Sequence, residues 1–198
     1  MQGTHTPGPS PSGATVVEQR TEGFRECRAG LATLFAVTVK LPGDLMLHPL
    51  GGEARELEQW LTTFHLASVV LDPYTNESSW ILKSAVRVLE GFRGSDARVN
   101  FVVTADEADG RRFLGPLCEQ FLVFCDPSRS VVKAMGLERL PAFAFVRVDG
   151  ELAAKAEGWH PARWREVAEV VAETAYWSAP LIPAAGDPSP FAGSRAAG

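Results

Sequence analysis

"MGLERLPAFAFVRVDGEL" runs from Met135 to Leu152. One proline, Pro141, separates a helix-like end from the apolar run Ala142-Phe143-Ala144-Phe145-Val146. A proline inside a central strand removes a ladder donor, but at the first residue of a strand the missing N–H is tolerated. The run therefore reads as an inner strand that begins right after Pro141. Asp149-Gly150 follows and then "ELAAKAEG", another strand pattern; Asp-Gly between two strands is a strong hairpin signal. Beyond it, "HPARWREVAEVVAETAYW" carries Pro161 at a first helical turn and an inner stripe of Trp164, Val167, Ala168 and Val171.

Upstream, strand and helix patterns alternate. "HLASVVLD" is a buried strand ending at Asp72-Pro73, and "SSWILKSAVRVLEGF" is a helix with Ile81, Leu82, Ala85, Val86, Leu89 and Phe92 at three- and four-residue steps. "ARVNFVVTA" reads as a strand, and "DEADGRRFLGPLCEQ" as a helix weakened by Gly110, Gly115 and Pro116. "FLVFCD" is a short strand and "PSRSVVKAMGL" a short helix. Nearer the N-terminus, "GEARELEQWLTTF" (52–64) predicts an amphipathic helix with Leu57, Trp60, Leu61 and Phe64 on one face, and "LPGDLMLHPLGG" a turn-rich link. "LATLFAVTVKL" fits a strand, while Phe24, Cys27, Leu31 and Leu34 have helical spacing, so the boundary between the two stays open. Strand–helix units followed by a hairpin and a last helix imply an α/β sandwich. Its mixed central sheet is parallel in the first half and antiparallel in the second.

The whole chain has 198 residues and a net charge of −5. That length suits one domain with tails, 21–178, and the acidic balance argues against a nucleic-acid partner. Residues 1–20 are rich in Pro, Gly, Ser and Thr and read as a disordered tail. They have neither the basic start nor the apolar core of a secretory signal. No apolar run of about 20 residues predicts a membrane span, and the three cysteines, Cys27, Cys118 and Cys125, are too scattered for a disulfide framework. A cytoplasmic location is the expectation. The C-terminal tail, 179–198, is Pro- and Gly-rich yet holds Leu181, Ile182 and Phe191. It reads either as an extended segment lying on its own domain or as a peptide that docks on a partner.

The order of short helix, Pro141, hairpin, Gly158 and last helix resembles the thioredoxin superfamily, most clearly over residues 52–176. The resemblance implies a thioredoxin-like three-layer sandwich, a cis Leu140–Pro141 bond, and a groove lined by Leu140, Pro141 and Ala142 whose backbone pairs with extended segments. It also implies a Cys-x-x-Cys pair at the start of the helix that follows "HLASVVLD", where free N–H groups and the helix dipole favour a thiolate. Here that stretch reads "LDPYTNESSWILKS", the pair falls near Asn76 to Ser79, and no cysteine occurs between Cys27 and Cys118. The family's disulfide exchange is thus missing. A peroxiredoxin-like reading meets the same obstacle, with Tyr74-Thr75 only a faint echo of its pattern.

Thr75, Asn76, Ser78 and Ser79 are good helix caps, and capping is the plain reading of them. With Glu77 they also complete the candidate groove, or could hold a carboxylate or phosphate at the helix start. Cys118 falls near a helix end and Cys125 at the far end of the next strand, whose span of about 13 Å from Phe121 to Cys125 exceeds disulfide reach; packing is the plain reading of both. Cys125, at a strand end before Asp126-Pro127, is the better place for one reactive thiol, with Arg129 the nearest base in sequence. Trp159 is either core or an anchor beside the groove. The histidines, His5, His48, His65 and His160, lack metal-ligand spacing, and the glycines form neither a phosphate loop nor a dinucleotide fingerprint. No catalytic residue, metal or cofactor is therefore assigned. The function expected is a redox-inactive binding module for an extended segment of a protein partner or for its own C-terminal tail. The alternative is an oxidoreductase with its thiol relocated to Cys125.

Overall fold

The computed structural model describes residues 39–196 together with Met1 and Gly3. The readings made for residues 4–38, including the N-terminal tail, Cys27 and His5, lie outside the described residues. Residues 39–196 belong to one compact unit.

Its centre is β4 (His65–Leu71), flanked on one side by β5 (Ala97–Val103) in parallel and on the other by β8 (Ala142–Val146) antiparallel. β6 (Leu122–Cys125) adds to β5 in parallel, and β9 (Glu151–Glu157) adds to β8 antiparallel. The short strands β1 (Val39–Lys40), β2 (Met46–Pro49) and β3 (Arg55–Glu56) extend the two edges, giving the order β1-β9-β8-β4-β5-β6-β2-β3. The mixed sheet read from the sequence is the one observed. The hairpin turns through Gly150 at φ +82°, a conformation that favours glycine.

Strand alternation divides the core in two. Ala67, Val69 and Leu71 of β4 join Phe143 and Phe145 on one face, covered by α2 (Asn76–Glu90) and α6 (Pro161–Thr174). Leu66 and Val70 join Ala142, Ala144 and Val146 on the other, covered by α1 (Leu57–Trp60) and α5 (Ser130–Ala134). The remaining helices, α3 (Glu107–Leu114) and α4 (Leu117–Gln120), are divided at Gly115, whose φ is +55°. On the first face Trp164 is fully buried, with Phe143 at 5.3 Å and Trp159 at 5.0 Å between ring centroids. Trp159 is thus core rather than an exposed anchor.

Two expectations need correction. The link 41–52 contains β2, whose Leu47 and Pro49 face inward while Met46 and His48 face out. Its prolines and glycines mark the turns on either side and mask a strand of four residues. The helix expected over 52–64 is only Leu57–Trp60, preceded by β3. Leu57 and Leu61 are buried as the amphipathic pattern implies, but residues 55–56 are held by pairing with β2.

Replacing Trp164 by alanine should remove the ring that joins α6 to the sheet. The expected cost is about 3–5 kcal/mol, read as a lower denaturant midpoint with an unchanged slope.

Candidate functional site

The C-terminal ends of β4 and β6 meet the start of β8, and three loops converge there. The first runs from Asp72 into α2. Ser78 is fully buried, and its Oγ accepts a hydrogen bond from the Asp72 N–H at 2.9 Å. Thr75 Oγ1 lies 2.9 Å from the Asp72 carbonyl oxygen and 3.1 Å from Ser78 Oγ. Thr75 occupies the cap position of α2 but makes no side-chain cap bond. The capping role expected of Thr75 and Ser78 is therefore replaced by a closed hydroxyl network that braces the loop against β4. Asn76 and Ser79 are exposed, Glu77 half-buried. Ser78 is thus turned inward, away from the outward face that Asn76 and Ser79 share.

Asp72 is also buried. One carboxylate oxygen accepts the Tyr74 N–H at 3.0 Å; the other pairs with Arg129 Nη2 at 2.8 Å. Sequence reasoning missed this pair. The acidic residue ending a strand before Pro73 was a local signal for one half of it, but no short-range pattern joins it to a base 57 residues away. Arg129 is thereby committed to Asp72 and not to Cys125. Asp126, next to Cys125, is a structural cap: its carboxylate accepts the N–H groups of Ser130, Val131 and Val132 at 2.7, 2.9 and 3.1 Å.

The second loop carries Pro141. The Leu140–Pro141 peptide bond is cis, and the Pro141 carbonyl accepts the Gly158 N–H at 2.7 Å. Leu140, Pro141 and Ala142 are all buried, so the groove read from the sequence is not open: the C-terminal segment covers it. β10 (Ser194–Arg195) pairs antiparallel with β7 (Arg139–Leu140), placing Ser194 opposite Leu140 and Arg195 opposite Arg139. The Ala196 N–H donates to the Glu138 carbonyl at 2.7 Å, and Phe191 and Trp159 exchange both backbone bonds at 2.9 and 2.8 Å. Arg139 Nη1 donates to the Gly193 carbonyl at 3.0 Å, and Arg129 donates to the Ala196 carbonyl. Arg129 thus ties the end of the segment to Asp72.

Upstream, the segment is anchored by charge. Asp187 receives Arg87 Nη2 on both oxygens at 2.8 and 3.0 Å, Ser84 Oγ at 2.7 Å and the Ala184 N–H at 2.7 Å. Arg165 Nε holds the Ile182 carbonyl at 2.9 Å, and Trp159 Nε1 the Pro188 carbonyl at 2.8 Å. The tail expected over 179–198 lies on its own domain through residue 196.

Cys125 and Cys118 are both free. Cys125 is buried; burial first, then the charges of Glu107, Cys118 and Asp106, push its thiol up to about 11. Burial also raises the Cys118 thiol. His65 lies at the other end of β4, where its Nδ1 accepts the Val148 N–H at 3.0 Å. Burial and the nearby Arg147 lower its pKa. Among the described residues no group of His, Cys, Asp or Glu converges on a metal position.

No protein-family model and no curated protein matches the chain. Solved structures do. The thioredoxin domain of a thiol-disulfide oxidoreductase from Bacteroides vulgatus is 14% identical, with a TM-score of 0.54 over 71% of this chain and 99% of that one. Peroxiredoxin Q from Xanthomonas campestris, in a cysteine-to-serine mutant, is 14% identical, with a TM-score of 0.54 over 69% and 94%. An exposed lipoprotein thioredoxin from Streptococcus pneumoniae is 18% identical, with a TM-score of 0.51 over 67% and 98%. The fold is thioredoxin-like. It carries no information on compartment, since one such neighbour is an exposed lipoprotein; no described helix of this chain is long and apolar enough to cross a membrane.

Burial tends to raise the pKa of Asp187, but its bonds from Ser84, Ala184 and Arg87 outweigh this and hold the carboxyl below its usual range. The anchor's contribution is complete above the ordinary carboxylate pKa of about 3.9 and fades as pH falls through the lower, folded value. Acidification below about pH 4 should lower the amide protection factors, measured against intrinsic exchange at each pH, in residues 184–196 before the sheet opens. Asp187→Asn should show that loss of protection already at pH 7.

Proposed function

We propose that this thioredoxin-like chain is a binding module without dithiol chemistry, which recognises extended polypeptide along the Glu138–Leu140 edge beside Pro141. One observation carries the reading: an extended segment is paired there, backbone to backbone, in antiparallel register. Strand addition draws affinity from main-chain bonds and specificity from alternate side chains. The helix start where the fold's thiols would lie holds a buried serine and an asparagine, neither of which can enter a redox cycle. Asp72 and Arg129 then serve to hold the loop and the bound segment together rather than to activate a nucleophile.

The oxidoreductase reading draws on the neighbours, two of which are named as a thiol-disulfide oxidoreductase and a peroxiredoxin. It asks Cys125 for an accessible sulfur of lowered pKa. A buried thiol raised to about 11 from 9.0 has roughly a hundredfold less thiolate at neutral pH. The surroundings of Cys125 therefore favour the binding module.

The test is chemical. Full-length protein treated with diamide or peroxide, then with reductant, should show slow alkylation at Cys118 and Cys125 and no reversible disulfide by mass spectrometry. Reduction of insulin disulfides should not exceed the blank. A reversible Cys118–Cys125 bond, or rapid reversible oxidation of Cys125 alone, would instead make the protein an oxidoreductase with a moved site.

A further inference from the structure

The C-terminal segment is held in two different ways. Residues 181–187 are fixed by Arg87, whose Nη2 serves both Asp187 oxygens and whose Nη1 donates to the Leu181 carbonyl, and by Arg165. Past Pro188 the arm's hydrogen bonds are made by its main-chain groups, with the Phe191 ring and Ala196 as its side-chain anchors. Phe191, Gly193 and Ser194 are half-buried and Ala192 and Arg195 exposed, so Ala196 alone in this arm is buried. Main-chain bonds of this kind can be offered by any extended polypeptide, so the arm can be exchanged for a segment of similar shape.

The shape is demanding at one point. Gly158 and Gly193 cross back to back, with φ of +66° and +80°. A Cβ on Gly193 would lie 2.6 Å from the Leu140 carbonyl oxygen and 3.1 Å from Gly158 Cα. A Cβ on Gly158 would lie 2.6 Å from the carbonyl groups of Phe191 and Ala192. No side chain fits on either strand of this crossing. Two positions before the glycine, the Phe191 ring meets Trp80 edge-on at 5.7 Å between centroids. Trp80 is still 56% exposed, a large apolar surface beside the site that the arm covers only in part. Three positions after the glycine, Ala196 is 1% exposed and joins the core cluster that contains Leu137 and Leu140.

We infer that residues 188–196 are a built-in competitor for the Glu138–Leu140 edge, and that the ligand they exclude is a partner-protein segment with an aromatic residue, a glycine two positions later and an alanine-sized residue three positions beyond that. The inference rests on the peptide-binding reading above and names the ligand class for the same site. A tethered arm faces its site at millimolar effective concentration, so the free site is reached only when the arm is displaced. Trp80 supplies the surface on which a partner with a larger aromatic contact outcompetes Phe191.

A fluorescein-labelled peptide of residues 188–196, PSPFAGSRA, titrated by anisotropy into wild-type and variant full-length proteins tests this. Gly193→Val should free the edge and bind the peptide at least about tenfold tighter than the wild-type chain. A peptide with valine in place of its glycine should not bind. Phe191→Ser, which releases the arm without a backbone clash, should reproduce the gain if Gly193→Val disturbs folding. Equal binding to wild type and both variants would overturn the competitor role. Binding of the valine peptide as tight as that of the parent would overturn the recognition pattern while leaving segment pairing at the edge intact. Failure of both peptides on both variants would overturn the peptide-binding reading itself. Arm exchange, seen as a wild-type dimer by size-exclusion chromatography that dissociates on Gly193→Val, would overturn the intramolecular arrangement.

Discussion

A backbone N–H or C=O taken out of water needs a partner, and Glu138–Leu140 is where this chain meets that demand with its own end. These residues lie beside a proline that has no N–H to offer and outside the eight-stranded sheet. Leu140 is fully buried, so its backbone groups need hydrogen-bond partners. Residues 194–196 supply them. The Gly158–Gly193 crossing, the Trp159–Phe191 bridge and the Arg129 contact all follow from bringing that segment within hydrogen-bonding distance.

On the binding-module reading proposed above, the site is organised around binding geometry. The loop that would carry thiols is braced internally: Ser78 and Thr75 hold the backbone of Asp72, and the Asp72 carboxylate holds Arg129. Arg129 in turn reaches the carbonyl of Ala196. A buried ion pair of this kind is weak evidence for added stability, since desolvation offsets much of its attraction. Its clearer consequence is orientation, because a guanidinium fixed by one carboxylate presents its remaining N–H groups in a set direction. The position of the first loop and the position of the bound segment are linked through one side chain.

Much of the fold was legible from periodicity. β4, β5 and β8 are largely apolar runs, β9 was marked by the Asp149-Gly150 hairpin signal before it, and α2 and α6 carry their buried residues at helical spacing. Pro141 marked the start of β8 because its position made sense only at a strand's first residue. What escaped was short or non-local. β2 has four residues among prolines and glycines, too few to show a period. The Asp72–Arg129 pair joins residues far apart in sequence. Thr75 and Ser78 belong to types that cap helices, and only the fold decides that they turn toward Asp72 instead. The Pro- and Gly-rich tail has no periodicity, so nothing local in it selects docking onto β7 over an extended arm free to reach a partner. Gly158 stood out by its place after the second hairpin strand, but Gly193 looks like an ordinary turn glycine until the two strands are seen to cross.

The most direct test of the central claim is solution NMR of the intact protein, searching for backbone contacts between Arg139 and Arg195. Pairing of the two strands predicts a cross-peak between their backbone protons and a slowly exchanging Ala196 amide. Sharp random-coil signals for residues 191–196, with no contact to residues 138–141, would contradict it.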